Sequence, residues 1–126
     1  MDVVLGAGSQ YLDASKRKDK EDLINEIKSL GYDYFTTKAE MDKTTSNKIW
    51  GMFAEKSMKY DIDRDPSVEP SLAEMTTKAI NTLSKNDKGF FLMVEGSEID
   101  WGAHANDPVA TITDAIAFDK AVALSL

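Results

Sequence analysis

Short apolar runs alternating with segments of helical period predict an α/β fold: a mostly parallel sheet of about four strands with helices on both faces. Two observations carry this reading. Phe90-Phe-Leu-Met-Val94 is an unbroken apolar run, the pattern of a strand buried on both faces, as in parallel sheets covered by helices. Thr37-x-x-Glu40 and Ser71-x-x-Glu74 are capping boxes that open helices between the apolar runs. Strands that alternate with helices through short connections are joined by right-handed crossovers.

Asp2 to Leu5 reads as the first strand, ended by Gly6-Ala7-Gly8. A Gly-x-Gly after a strand can cradle a phosphate. Here the third glycine of the dinucleotide fingerprint is missing and position 11 is Tyr, so a tight turn accounts for it better. Lys18 to Leu30 reads as a helix, with Leu23, Ile24, Ile27 and Leu30 on one face and Gly31 as its stop. Tyr32 to Thr36 and Lys48 to Ala54 read as strands, with the Thr37 helix between them. Asp61, Asp63 and Asp65 alternate as at the start of a calcium loop. However, Pro66 stands where glycine is needed and the closing glutamate is misplaced. A surface loop over 55–70 is the better reading. The helix opened by Ser71 buries Leu72, Met75, Ala79, Ile80 and Leu83. Phe90–Val94 is the fourth strand, followed by a glycine-bearing loop. A last helix from about Thr111 buries Ile112, Ala115, Ile116, Phe118 and Val122. The methionines and aromatics are expected to face the core.

With 126 residues and 42% apolar content, residues 1–126 form a single α/β segment able to bury a core. Fifteen basic against twenty-two acidic side chains give a formal charge of −7. That balance argues against a dedicated nucleic-acid or anionic-membrane binder and suits cation binding. The absence of cysteine excludes disulfides, thiolate zinc sites and a cysteine nucleophile. No apolar run approaches the roughly 20 residues of a membrane helix. The opening Met1-Asp2-Val3-Val4-Leu5-Gly6 lacks the basic and long apolar regions of a signal peptide. Entry straight into a strand and a halt inside an amphipathic pattern read as a piece of something larger.

Glu95 closes the Phe90–Val94 run, and Asp100 and His104, the only histidine, follow four residues apart. Ligands of open α/β sheets gather beyond the carboxyl ends of strands, where all three would fall. An unpaired carboxylate at a buried strand end is costly, so Glu95 needs a cation, a basic partner or water. One helical turn would bring Asp100 and His104 to one face. Carboxylate plus neutral imidazole is a usual zinc pair, and Glu95 suits a harder ion such as magnesium. The spacing alone is weak. Solitary Glu, Asp and His in a loop are more often caps and surface groups, and two ligands leave a zinc site incomplete. A non-catalytic α/β binding or regulatory module remains open at this level.

The stretch Gly89-Phe-Phe-Leu-Met-Val-Glu-Gly-Ser-Glu-Ile-Asp-Trp-Gly-Ala-His104 closely resembles the metal-binding segment of alkaline phosphatases. Asp2-Val-Val-Leu-Gly6, Gly31-Tyr32, Gly51-Met-Phe-Ala54, Met58-Lys-Tyr60, Pro70-Ser-Leu-Ala-Glu-Met75 and Ala117-Phe-Asp-Lys-Ala-Val122 resemble the same family in the same order. Ala7 departs from it where members often have a third consecutive glycine.

The resemblance implies an interior segment of a metal-dependent phosphomonoesterase with a three-layer α/β fold, in which a serine attacks phosphorus beside a zinc pair and a magnesium ion. By that resemblance Glu95 matches the magnesium-binding glutamate, Asp100 and His104 match ligands of one zinc, and Trp101 tunes the phosphate pocket. The complete enzyme would be a homodimer, exported or surface-bound, acting on phosphate monoesters. The family's serine stands in an Asp-Ser-Ala-like context that does not occur here. Neither Arg17 nor Arg64 sits in the context of the phosphate-clamping arginine, and the other zinc-binding histidines are absent. The chain alone is therefore expected to be inactive. The reading asks for a rigid strand within a central sheet that delivers Glu95, Asp100 and His104 to one pocket.

Overall fold

The computed structural model describes residues 1–126. Its sheet has three parallel strands in the order β1-β3-β2, with β1 over Val3–Gly6, β2 over Asp33–Phe35 and β3 over Ile49–Met52. The helices are α1 (Leu23–Ser29), α2 (Lys38–Lys43), α3 (Leu72–Leu83), α4 (Ser97–His104) and α5 (Pro108–Ala123). Gly8 makes the expected tight turn after β1 at a φ of +101°, a conformation glycine adopts without steric cost.

Strand register explains the core. Leu5, Gly51 and Phe35 lie side by side, as do Val3, Ile49 and Asp33. Phe35 and Ile49 point to the face covered by Met41 of α2 and Met75 of α3, with Phe53 closing the cluster. The next row, Val4, Trp50 and Tyr34, occupies the opposite face, as successive side chains of a strand must. There α1 packs on β2, with Lys28 Nζ 5.7 Å from the centre of the Tyr34 ring. Helices thus cover both faces. Both capping boxes form: Thr37 with Glu40 and Ser71 with Glu74 each exchange hydrogen bonds with the other's backbone N–H.

Five expectations are corrected. Phe90–Val94 is extended but pairs with no strand, so the sheet has three strands rather than about four. Leu92 and Val94 turn inward, whereas Phe91 is 89% and Met93 73% exposed. Only alternate side chains of the run are sheltered, at the lining of a cleft. The stretch after Gly96 is a helix, α4, and not a loop; Glu98 and Asp100 in its first turn favour its positive N-terminal end. The last helix starts earlier than Thr111, because Asp107 accepts from the N–H groups of Val109 and Ala110 and Pro108 takes the first helical position. Its buried stripe is Ala110, Ala117 and Ala121, while Ile112, Ala115, Ile116 and Val122 face outward. Small side chains let α5 approach α3 and α4 closely, and closeness decides the packed face over side-chain size. Leu30 of the first helical pattern is likewise exposed.

Met41→Ala should cost about 2–5 kcal/mol in chemical denaturation, because Met41 is enclosed in the core. The equally apolar Met93→Ala should change stability by less than about 0.5 kcal/mol.

Candidate functional site

Asp100 and His104 lie on one face of α4, with Oδ2 of Asp100 3.6 Å from Nε2 of His104. That separation is too long for a hydrogen bond. It approaches the spacing of two donors on one tetrahedral zinc, about 3.4 Å for bonds of about 2.0–2.1 Å. Both side chains are open to solvent, 74% exposed for Asp100 and 82% for His104. α4 holds this turn in place through Gly102, which is buried against α5. A Cβ there would lie 3.0 Å from the backbone nitrogen of Thr111.

Glu95 lies elsewhere. It lines a cleft of about 500 Å³ walled by β1, the 92–98 segment, α3 and the 56–64 loop, and neither Asp100 nor His104 reaches that lining. Nowhere do three His, Asp or Glu side chains come together as a metal-binding group. The expected single pocket fed by three donors from a strand in the sheet is therefore not formed by this chain's residues alone. Asp100 and His104 are two donors where a zinc site takes three or four, and Glu95 presents one exposed carboxylate at the cleft.

The cleft also contains groups the sequence reading passed over. Glu98, from α4, and Asp114, from α5, both line it. Asp114 accepts from the N–H of Asp61 at 3.2 Å, tying the 55–70 loop to α5. Its signal was position: Asp114 lies in the same helical stripe as Ala110, Ala117 and Ala121, where an apolar residue is the default. Arg64 donates to Asp61 at 3.1–3.2 Å and to the Glu69 carbonyl at 3.0 Å, which holds the loop together. Arg17 is paired with Asp19 and the Tyr11 carbonyl.

Burial pushes the carboxyl of Glu98 above its ordinary value, and Asp114 and Glu69 push it further. Burial also raises Asp114, opposed by the Asp61 N–H and reinforced by the charges of Asp61 and Asp63. The folded chain holds these two protons more tightly than the unfolded chain does. Their contribution to stability is therefore present below the ordinary carboxylate range and lost as pH rises through the raised values. Glu98→Gln should flatten the loss of unfolding free energy that sets in above about pH 4, read from denaturant melts across pH. Gly102→Ala should cost about 1–3 kcal/mol by overpacking α4 on α5, read in the same melts.

No helix is long and apolar enough to cross a membrane. The family profile described as alkaline phosphatase matches residues 1–126. Over 121 residues the chain is 46% identical to alkaline phosphatase 4 of Bacillus subtilis (strain 168), which is 96% of this chain and 25% of that protein. The crystal structure of Thermus thermophilus alkaline phosphatase superposes with a TM-score of 0.93 at 34% identity, covering 98% of this chain and 26% of that one. A mutant of the TAB5 alkaline phosphatase, solved with Mg bound, superposes with a TM-score of 0.78 at 32% identity over 96% of this chain and 34% of that one. This chain thus spans about a quarter of the length of the curated relatives it matches. A match over every residue, with the same α/β arrangement at that identity, makes this chain a member of the alkaline phosphatase family.

Proposed function

We propose that this chain is a segment of a metal-dependent alkaline phosphatase that hydrolyses phosphate monoesters, and that it supplies part of the metal centre. The observation that carries the proposal is the Asp100–His104 pair, two donors of zinc type on one helical turn at nearly the spacing one zinc requires. In this reading Asp100 and His104 hold one zinc, and the remaining donors come from outside the chain. Glu95 holds magnesium, in keeping with the Mg bound in the TAB5 relative and with the preference of that ion for carboxylate oxygen. When bound, a zinc pair and magnesium supply the positive charge that an attacking serine and a leaving alkoxide need.

The chain's own contribution is positional. Phosphoryl transfer asks a protein mainly to place charge and reactants. α4, braced on α5 through Gly102, fixes the turn that bears both zinc donors. Trp101 lines the cleft beside Glu95 and shapes the approach of the phosphate ester. The serine nucleophile and the phosphate-clamping arginine belong to the rest of the enzyme, and Arg17 and Arg64 are already engaged within their own loops. The complete enzyme is read as an exported or surface-bound homodimer.

On this reading the 126-residue chain hydrolyses an aryl phosphate no faster than buffer with zinc and magnesium present. Zinc-dependent turnover that copurifies with the chain, host phosphatase having been excluded, would contradict it. Calorimetric titration of the chain should give a weak zinc signal that disappears in His104→Ala; a signal unchanged by that substitution would remove the proposed zinc ligand.

A further inference from the structure

α4 is seated on α5 on both sides of Asp100. A Cβ added to Gly96, the N-cap of α4, would come within 2.9 Å of the Phe118 ring, and one added to Gly102 within 3.0 Å of the Thr111 backbone nitrogen. The two glycines let the backbone of α4 touch α5 directly. None of the three strands packs against α4 to a similar extent. Asp100 and His104 therefore stand wherever α5 stands.

Shape alone holds α5 loosely. Its buried stripe is Ala110, Ala117 and Ala121. Methyl side chains allow close approach but raise only shallow ridges, so they set the distance between helices more firmly than slide or rotation. One member of the stripe is directional. Asp114 accepts from the Asp61 N–H with both carboxylate oxygens, at 3.3 and 3.2 Å. An apolar residue is the default at that position, and a half-buried carboxylate there carries a desolvation cost that its hydrogen bond offsets.

Asp61 is a firm anchor for this bond. Arg64 donates to the Asp61 carboxylate through Nε and Nη2, and to the Glu69 carbonyl through Nη1. The buried Glu69 carboxylate accepts from the Lys59 N–H at 2.7 Å. The Lys38 N–H donates to the Val68 carbonyl at 3.0 Å, which joins the loop to α2 and so to the core around Met41. The 59–69 loop is thus cross-linked within itself and fastened to the body of the fold.

We propose that Asp114 is a positioning residue for the metal centre: by bonding α5 to the 59–69 loop it fixes the slide and rotation of α5, and with them the place of Asp100 and His104 on α4. The metal role of that pair rests on the reading of the chain as a phosphatase segment. The tie from Asp114 to α4 stands on the geometry alone.

Asp114→Leu and Asp114→Asn separate direction from packing. Leu is apolar, as the stripe expects, and has no acceptor, whereas Asn keeps a carbonyl for the Asp61 N–H. In the 126-residue chain, the amides of Trp101 to Ala105 should exchange about 10-fold faster in Asp114→Leu, the size of effect that a hydrogen bond to a charged group carries. In Asp114→Asn they should stay within about 3-fold. The Ile49 and Phe53 amides, which donate to Asp2 and Gly6, should keep their rates in both variants. Unchanged exchange at Trp101 to Ala105 in Asp114→Leu overturns the proposal, and so does an equal gain in both variants. Equal acceleration at Ile49 and Phe53, or an Asp114→Leu chain that does not fold, makes Asp114 a support of the whole fold and also overturns it.

The same substitutions in a chimera of Bacillus subtilis alkaline phosphatase 4, in which this chain replaces the matching quarter, read the consequence for catalysis. In Asp114→Leu, kcat should fall about 10-fold or more while KM for an aryl phosphate stays within about 2-fold. Asp114→Asn should bring kcat back to within about 3-fold. A chimera inactive with Asp114 in place removes the phosphatase reading, while the exchange result keeps the tie. An active chimera whose kcat is indifferent to Asp114→Leu overturns the positioning role and keeps the phosphatase reading.

Discussion

Ile49 has no exposed surface and sits on the middle strand of three, and the rest of the structure depends on the pairing that puts it there. A buried strand is tolerable only when its backbone groups are satisfied on both edges. β3 meets that condition through β1 on one side and β2 on the other. Phe90–Glu95, the more apolar stretch, does not. The core therefore formed around Ile49, Phe35, Met41, Phe53 and Met75, and the longest apolar run was left at the margin of a cleft.

The same constraint shapes the candidate site. Asp100 and His104 belong to a helix whose position is set by the contact of Gly102 with α5, not by the sheet. Their spacing survives even though the run before them is unpaired. Glu95 has no such brace. Its carboxylate is placed by a segment outside the sheet, and it stands apart from Asp100 and His104. Local helical geometry sets the spacing of Asp100 and His104, whereas nothing comparable fixes Glu95.

Much of this was legible from residue order. Thr37 with Glu40 and Ser71 with Glu74 announced their helices because a capping box is a local arrangement, complete within four residues. The spacing of Asp100 and His104 was equally local once α4 formed. What misled was apolar character taken as burial. Ile112, Ile116 and Val122 are exposed while Ala110, Ala117 and Ala121 are buried, since the depth of a helix contact depends on which face can come close. Asp114 went unnoticed because it lies among those alanines.

The sequence by itself determined the α/β class, the order of the three sheet strands and of the helices between and just after them, the two capping boxes, the family and the placing of Asp100 and His104 one helical turn apart. Each follows from local periodicity, from side chains that bond within a turn, or from an ordered set of motifs. Only the tertiary structure decided that Phe90–Glu95 lies outside the sheet, that α5 buries its alanines, and that Glu95, Glu98 and Asp114 share a cleft away from His104. Those outcomes depend on which surfaces find a partner, and a strand's partner is named by geometry at long range rather than by the strand's own residues.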